Sequence, residues 1–180
     1  YGKIYISLIC GNYRGYIMSY NGVILKKSIS INKIYSIHYF EYMSNFSFEG
    51  ETHDFWEFIC VDKGEVNVTA GSDTTILKRG DIAFHQPNEF HSVQATGKIA
   101  PNLVVISFHC EDDAMEFFKE KTLKIDEAER NILASIIIEA RRCFDCRLDD
   151  PYLQNMPRKE PDMFGAEQLL MNRAKDKATF

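Results

Sequence analysis

Between residues 33 and 109 the chain is cut into short apolar segments by turn signals about every eight to twelve residues, and no other feature restricts the fold as much. Ile34 to Tyr42 is rich in Ile, Tyr and Phe, and Phe55 to Val61 is dense enough in aromatic and aliphatic residues to be buried on both faces. Asp62-Lys63-Gly64 then turns the chain. Glu65 to Ala70 alternates, with Val66, Val68 and Ala70 on one face, as a half-buried strand requires. Turns at Gly71-Ser72-Asp73 and Arg79-Gly80-Asp81 bracket a strand at Thr74 to Lys78, and further strands follow at Ile82 to His85, His91 to Ala95 and Leu103 to His109. Closely spaced strands without intervening helices predict a β-sandwich or barrel, not a parallel sheet with crossovers.

The flanks read differently. Residues 1 to 32 read as two or three strands, with Tyr20-Asn21-Gly22 as a hairpin turn, and carry no recognisable chemistry. After Cys110 the spacing becomes helical. Asp112 to Lys119 fits a short helix, and Asp126 to Phe144 a longer one, with Asp126 as N-cap and Glu129 three residues on. Ile132, Leu133, Ile136, Ile137, Ala140 and Phe144 trace its apolar stripe, which must be buried on the barrel or on a second copy. A loop with three prolines runs from Asp149 to Pro161, and Asp162 caps a last helical pattern, Met163 to Arg173. The expected division is a β-barrel over 1–111 and a helical dimerisation and linker segment over 112–180.

Composition narrows the function. A net charge of -5 argues against a nucleic-acid footprint, which needs clustered Lys and Arg to displace counterions. The longest apolar runs, such as Ile136 to Ile138, fall far short of the roughly 20 residues that span a bilayer. Tyr1 to Cys10 lacks the basic flank and small-residue cleavage site of a signal peptide, and the start at Tyr1 without Met reads as a fragment. Five cysteines give no even disulfide framework, so a cytoplasmic setting is expected. Cys60 and Cys110 sit among apolar residues as small hydrophobes; Cys143 and Cys146 form a lone C-x-x-C, weak as a redox pair without a βαβ setting and as half of a zinc site that needs two further ligands nearby.

The residues that carry chemistry are His53, Glu57 and His91: two imidazoles and a carboxylate, the set that suits zinc or non-haem iron with open positions. Residues four apart on a straight strand lie about 13 Å from each other. His53 and Glu57 can therefore meet at one point only if the chain bends between them. His38, among apolar neighbours, reads as a satisfied core histidine, while His85 and His109 are candidates by residue type alone.

Glu51-Thr52-His53-Asp54-Phe55-Trp56-Glu57, with Gly64 beyond it, resembles the first cupin motif, and Gly80-Asp81 running to Gln86-Pro87-Asn88-Glu89-Phe90-His91 resembles the second. The sequence departs from the metal-binding pattern at Glu51, which stands where the first motif histidine is usual, and at Ala95, Gln86 and Asn88. The phrasing His53 to Phe58, Lys63-Gly64-Glu65-Val66, Lys78-Arg79-Gly80-Asp81 and Gln86 to Ser92 is similar to the N-terminal cupin domain of AraC/XylS-type transcription regulators, and Asp162 to Leu170 resembles their linker helix.

That resemblance implies a mostly β fold, a cupin-like double-stranded β-helix barrel followed by C-terminal α-helices. It implies a non-enzymatic domain that senses a small-molecule effector, often a sugar, forms a homodimer, and reaches DNA only through a helix-turn-helix part not seen in this chain. Glu51, His53, Phe55, Glu57 and His91 are then the expected ligand-binding residues, with no cofactor. The alternative it leaves is a metal-dependent cupin enzyme, of isomerase or dioxygenase type, with a divalent Zn, Fe or Mn on His53, Glu57 and His91 and Glu51 as a replacement oxygen ligand.

Overall fold

A computed structural model describes residues 19–24, 28–153 and 155–159. Among the described residues, nine strands and one α-helix follow in order: β1 (Lys33–Glu41), β2 (Ser47–Glu51), β3 (Trp56–Lys63), β4 (Glu65–Ala70), β5 (Asp73–Lys78), β6 (Asp81–His85), β7 (His91–Ala95), β8 (Asn102–His109), β9 (Thr122–Lys124) and α1 (Glu127–Cys143), with a 3-10 turn at Asp113–Phe118 before β9. Every described pairing is antiparallel, and two sheets result, ordered β1-β8-β3-β6-β9 and β2-β7-β4-β5. Residues 19–24 and 28–32 lie in no regular element, and the rest of the expected N-terminal strands, like the helical pattern at Met163 to Arg173, falls outside the described residues. No described helix is long and apolar enough to cross a membrane.

Strand alternation divides the core in two. On β3 and β8, Ile59, Val61, Leu103 and Val105 point between the sheets, where they meet Phe40, Val66, Val68 and Leu77. Trp56, Cys60, Val104, Ile106 and Phe108 point the other way, against Met115, Ile137, Ala140 and Leu148. This is why both strands read as continuous apolar runs: each face is covered, one by the second sheet and one by α1.

α1 starts as its sequence dictates. The Asp126 carboxylate accepts from Glu129 N at 3.0 Å and the Glu129 carboxylate accepts from Asp126 N at 2.8 Å, a reciprocal capping box. Arg130 donates to Asp62 at 2.7 Å and ties the helix to the end of β3. The apolar stripe splits. Ile137 and Ala140 are buried on the five-stranded sheet and Leu133, Ile136 and Phe144 pack partly there, whereas Ile132 is 61% exposed and faces away.

Two strands are absent from the expectation. β2 is short and mostly polar, Ser-Phe-Glu-Gly-Glu, and β9 has three residues and, among the described residues, pairs only with β6. Neither shows the run or alternation that marks a strand in isolation; both exist because a neighbour offers a free edge.

Candidate functional site

Two polar rows face each other inside the sandwich. Across the five-stranded sheet, cross-strand pairing puts Ser36 beside Ser107, Ser107 beside Glu57 and Glu57 beside His85. Across the four-stranded sheet it sets Glu51 beside His91. Register alone therefore brings residues from six strands together. The bend demanded by the His53 to Glu57 spacing is the irregular stretch between β2 and β3, so His53 stands in a loop while Glu57 stands on a strand.

Gly50 makes the pairing possible. Its φ is +109°, and a Cβ there would lie 2.5 Å from the Phe90 ring and 2.7 Å from the His91 carbonyl. Only glycine lets β2 approach β7 this closely while adopting that backbone. Gly64 has the same function in the β3–β4 turn, with φ +76° and the Pro101 backbone 3.1 Å from a would-be Cβ.

The imidazoles are oriented from behind. His53 Nδ1 donates to the Phe55 carbonyl and His91 Nδ1 to the Glu89 carbonyl, each at 3.0 Å, which leaves Nε2 of both rings facing inward. Those Nε2 atoms are buried and make no hydrogen bond among the described residues. They stand 3.6 Å and 3.4 Å from the Glu57 carboxylate, and His91 Nε2 is 3.9 Å from Glu51. Glu57 also accepts from Ser107 Oγ at 2.6 Å, and Ser107 contacts Ser36 Oγ at 2.8 Å.

Burial alone would raise the Glu57 carboxyl, but His53, His91 and Ser107 outweigh it and hold it far below the usual carboxylate range. At His91 burial pushes downward, and the Glu57 contact and charge, the Glu89 carbonyl and Glu51 reverse it, for a net upward shift. His85 goes the other way. It is 1% exposed, stacks on His91 at 4.4 Å and 13°, and has no hydrogen-bond partner at either nitrogen among the described residues. Burial and then the neighbouring His91 depress it to about 4, and Glu89, 3.6 Å away, is too distant to compensate by hydrogen bonding.

The cluster closes one part of a cavity of about 400 Å³. Ile59, Val93, Leu103 and Val105 line it together with the stacked Phe40, Tyr42 and Phe46. Phe55 is sandwiched between Tyr35 at 3.9 Å and His53 at 3.8 Å, so both faces of its ring are taken. It holds His53 in place and offers a ligand only its edge. Burial first, and then the Glu57 charge, push the Tyr42 phenol upward, keeping it neutral as a donor.

The structure thus brings Glu51, His53, Glu57 and His91 together, with potential ligand atoms all within 4.8 Å of one another. His109 lies elsewhere, half-exposed, bonded to Asn32 and near Glu111. The sequence reading missed Ser107, Ser36 and the lining role of His38. Ser107 was detectable in principle, as a lone hydroxyl of the same parity as Leu103 and Val105 in an otherwise apolar strand. His38 is a satisfied core histidine, with Nδ1 3.1 Å from the Leu148 carbonyl, and it also lines the cavity.

Residues 33–159 match the AraC-like ligand binding domain family. The chain belongs to that family. Among solved structures, this AraC-like domain is similar to the cupin domain of Cnp3 from Schizosaccharomyces pombe, at 16% identity and TM-score 0.40, over 52% of this chain and 60% of that one. It is similar to a cupin 2 conserved barrel domain protein from Rhodopseudomonas palustris, at 15% identity and TM-score 0.36, over 54% and 61%. ToxT from Vibrio cholerae, solved with an unsaturated fatty acid bound, is similar at 7% identity and TM-score 0.41, over 61% of this chain and 47% of ToxT. The AraC-like domain therefore spans less than two thirds of each of these three chains. No curated protein sequence matches it.

Proposed function

We propose that this chain is the effector-sensing part of an AraC-type transcription regulator, that a small hydroxyl-rich molecule, a sugar or related metabolite, occupies the barrel cavity, and that two copies associate. One observation carries the reading of the ligand. Two inward Nε2 atoms and the carboxylates of Glu51 and Glu57 converge on one space, rich in acceptors, and the hydroxyl beside them, Ser107, is already used by Glu57. Such a cluster is completed by donors, and several hydroxyls on one small skeleton supply them while the C–H faces meet Ile59, Val93 and Leu103. A free carboxylate would instead meet two like charges. DNA is reached through parts outside this chain, and control follows if the effector binds one arrangement of the domain better than another.

A thermal-shift series with D-glucose, D-xylose, L-arabinose and myo-inositol tests this. At least one should raise Tm saturably in the wild type, by the linkage of binding to folding, and lose the effect in His53→Ala and in His91→Ala. A shift that persists in both variants would move the site elsewhere.

A second reading, a metal-dependent cupin enzyme, has its own support in the same orphaned Nε2 atoms. Glu51, His53, Glu57 and His91 would hold a divalent Zn, Fe or Mn by donor type, with the exposed Glu51 side chain free to draw closer to the other three. When bound, the ion would act as a Lewis acid toward a substrate oxygen. Elemental analysis of untagged protein separates the readings: stoichiometric metal would sink the metal-free sensor.

A further inference from the structure

After α1 the chain doubles back on itself. Phe144 pairs with Arg158, Asp145 N donates to the Pro157 carbonyl at 2.8 Å, and Lys159 N donates to the Cys143 carbonyl at 2.9 Å. Lys159 Nζ donates to the Arg141 carbonyl in the last turn of α1 at 2.8 Å, so both ends of the excursion are pinned to the helix C-terminus. The intervening chain lies along the outer edge of β1. Tyr39 N donates to the Leu148 carbonyl at 3.0 Å and Ile37 N contacts Met156 Sδ at 3.1 Å, which covers an edge that would otherwise be open. Leu148 itself is buried in the core beneath α1.

The same excursion reaches the cavity. Pro151, Tyr152 and Leu153 line it, held in a turn by Asp150, whose carboxylate accepts from Tyr152 N at 3.0 Å and whose carbonyl accepts from Leu153 N at 3.3 Å. His38 provides a second link. Its ring lines the cavity and stacks on Phe40 at 4.8 Å, while its Nδ1 donates to the Leu148 carbonyl at 3.1 Å. One backbone carbonyl therefore holds both a β1 amide and a side chain that borders the occupant's space.

We propose that residues 145–153 are a strap that reads cavity occupancy: Tyr152 and its neighbours touch the occupant directly, His38 reports it to Leu148, and the strap delivers the change to the C-terminal end of α1. The inference rests on the reading that the barrel binds a small molecule. An occupant that fits only with Pro151 to Leu153 seated over it favours the seated strap, and that preference is the differential affinity any ligand-driven change requires. Tyr152, 82% exposed, supplies the ring that has most to gain from such a contact.

Hydrogen exchange of the Tyr39 amide in the full chain tests the link, with the amides of β3 as the internal control. His38→Phe keeps the stack on Phe40 and removes the donor to Leu148, and should speed Tyr39 exchange about tenfold, the worth of one buried hydrogen bond. His38→Asn, whose side-chain amide nitrogen falls near the Nδ1 position, should restore the slow rate. Unchanged exchange in His38→Phe overturns the link; should that variant fail to fold, unchanged exchange in Tyr152→Gly overturns it.

The second arm uses D-xylose and myo-inositol at saturating concentration. Either probe, if it binds with the His53 dependence described above, should slow Tyr39 exchange and bind about tenfold more weakly to Tyr152→Gly. Binding with His53 dependence but with no change at Tyr39 overturns the strap and leaves the effector reading standing. Failure of every polyol to bind removes the effector reading as stated, and the His38→Phe result alone then decides the mechanical link.

Discussion

On its outer face the five-stranded sheet presents Trp56, Cys60, Ile106 and Phe108 to α1 and the 3-10 turn, whereas the inner face of the same strands presents Ser107, Glu57 and His85. Both faces are buried, but only the outer one is chemically satisfied by its surroundings. The inner row leaves His85 and the facing imidazoles with unpartnered nitrogens, a cost a protein bears where something else gains by it. Burial by itself thus does not separate scaffold from site here; the pairing of polar atoms does.

The largest expected effect breaks the comparison most directly. Phe108→Ala on the outer face should cost about 3–5 kcal/mol in urea unfolding, through lost transfer energy and the cavity left behind. Glu57→Gln on the inner face, which keeps an acceptor for Ser107, should cost about 1–2 kcal/mol while abolishing the sugar-dependent Tm shift. If Glu57→Gln proved the more damaging to stability, the polar row would be scaffold after all.

Acid should expose the inner face next. His85 has its folded pKa at about 4 against an ordinary value near 6.5. Above pH 6.5 neither state binds the proton and the fold has its full stability. Between 6.5 and 4 the unfolded chain protonates first, and about 3 kcal/mol is lost. His91 has the opposite sign, because its raised pKa favours the folded state as pH falls below its own titration, so it offsets part of the loss. His85→Phe retains a ring against His91 and should flatten the decline in urea midpoint from pH 7 to pH 4.5. Identical acid slopes in variant and wild type would place the acid sensitivity in another group.

The outer face was far more legible in the sequence than the inner one. The unbroken apolar series Trp56, Phe58 and Cys60 on β3 and Val104, Ile106 and Phe108 on β8 marks that face, because hydrophobic burial is a property of each residue and its near neighbours. Asp126 and Glu129 announced α1 for the same local reason. The site is a matter of register. That Glu57 lies beside Ser107, and Glu51 beside His91, depends on how strands distant in sequence align. The motif resemblance supplied His53, Glu57 and His91, yet not the sandwiching of Phe55, which follows from Tyr35 on β1.

Gly50→Ala sharpens the point about register. With φ at +109° and the Phe90 ring and His91 carbonyl in the way, this methyl should cost about 1–3 kcal/mol and push β2 off β7, drawing Glu51 away from His91. Gly71→Ala is the control, since its φ is also positive but nothing lies within 4 Å of the added carbon. Thermal melts and sugar titrations of both should show Gly50→Ala losing stability and binding, and Gly71→Ala a smaller loss of stability with binding intact. Equal losses in the two would mean that backbone conformation, not the approach of β2 to the site, is what Gly50 supplies.

The smallest effect on stability should come from the far side of α1. Ile137 is 6% exposed against the sheet, while Ile132, 61% exposed, borders a surface groove with Ile136, Glu139 and Arg158. An isoleucine left in water costs little to replace, so Ile132→Glu should change folding stability by less than about 0.5 kcal/mol. In the proposed association of two copies through this helix, the same substitution places a carboxylate at the centre of a two-fold contact, where it meets its own symmetry mate. Light scattering should then give a monomer with the wild-type melt. Ile137→Glu, by contrast, buries a charge within one chain and should abolish the cooperative melt whatever the oligomeric state. A dimer that survives Ile132→Glu, or a wild-type chain that is already monomeric at tens of micromolar, would leave the exposed half of the stripe without a second copy as its partner.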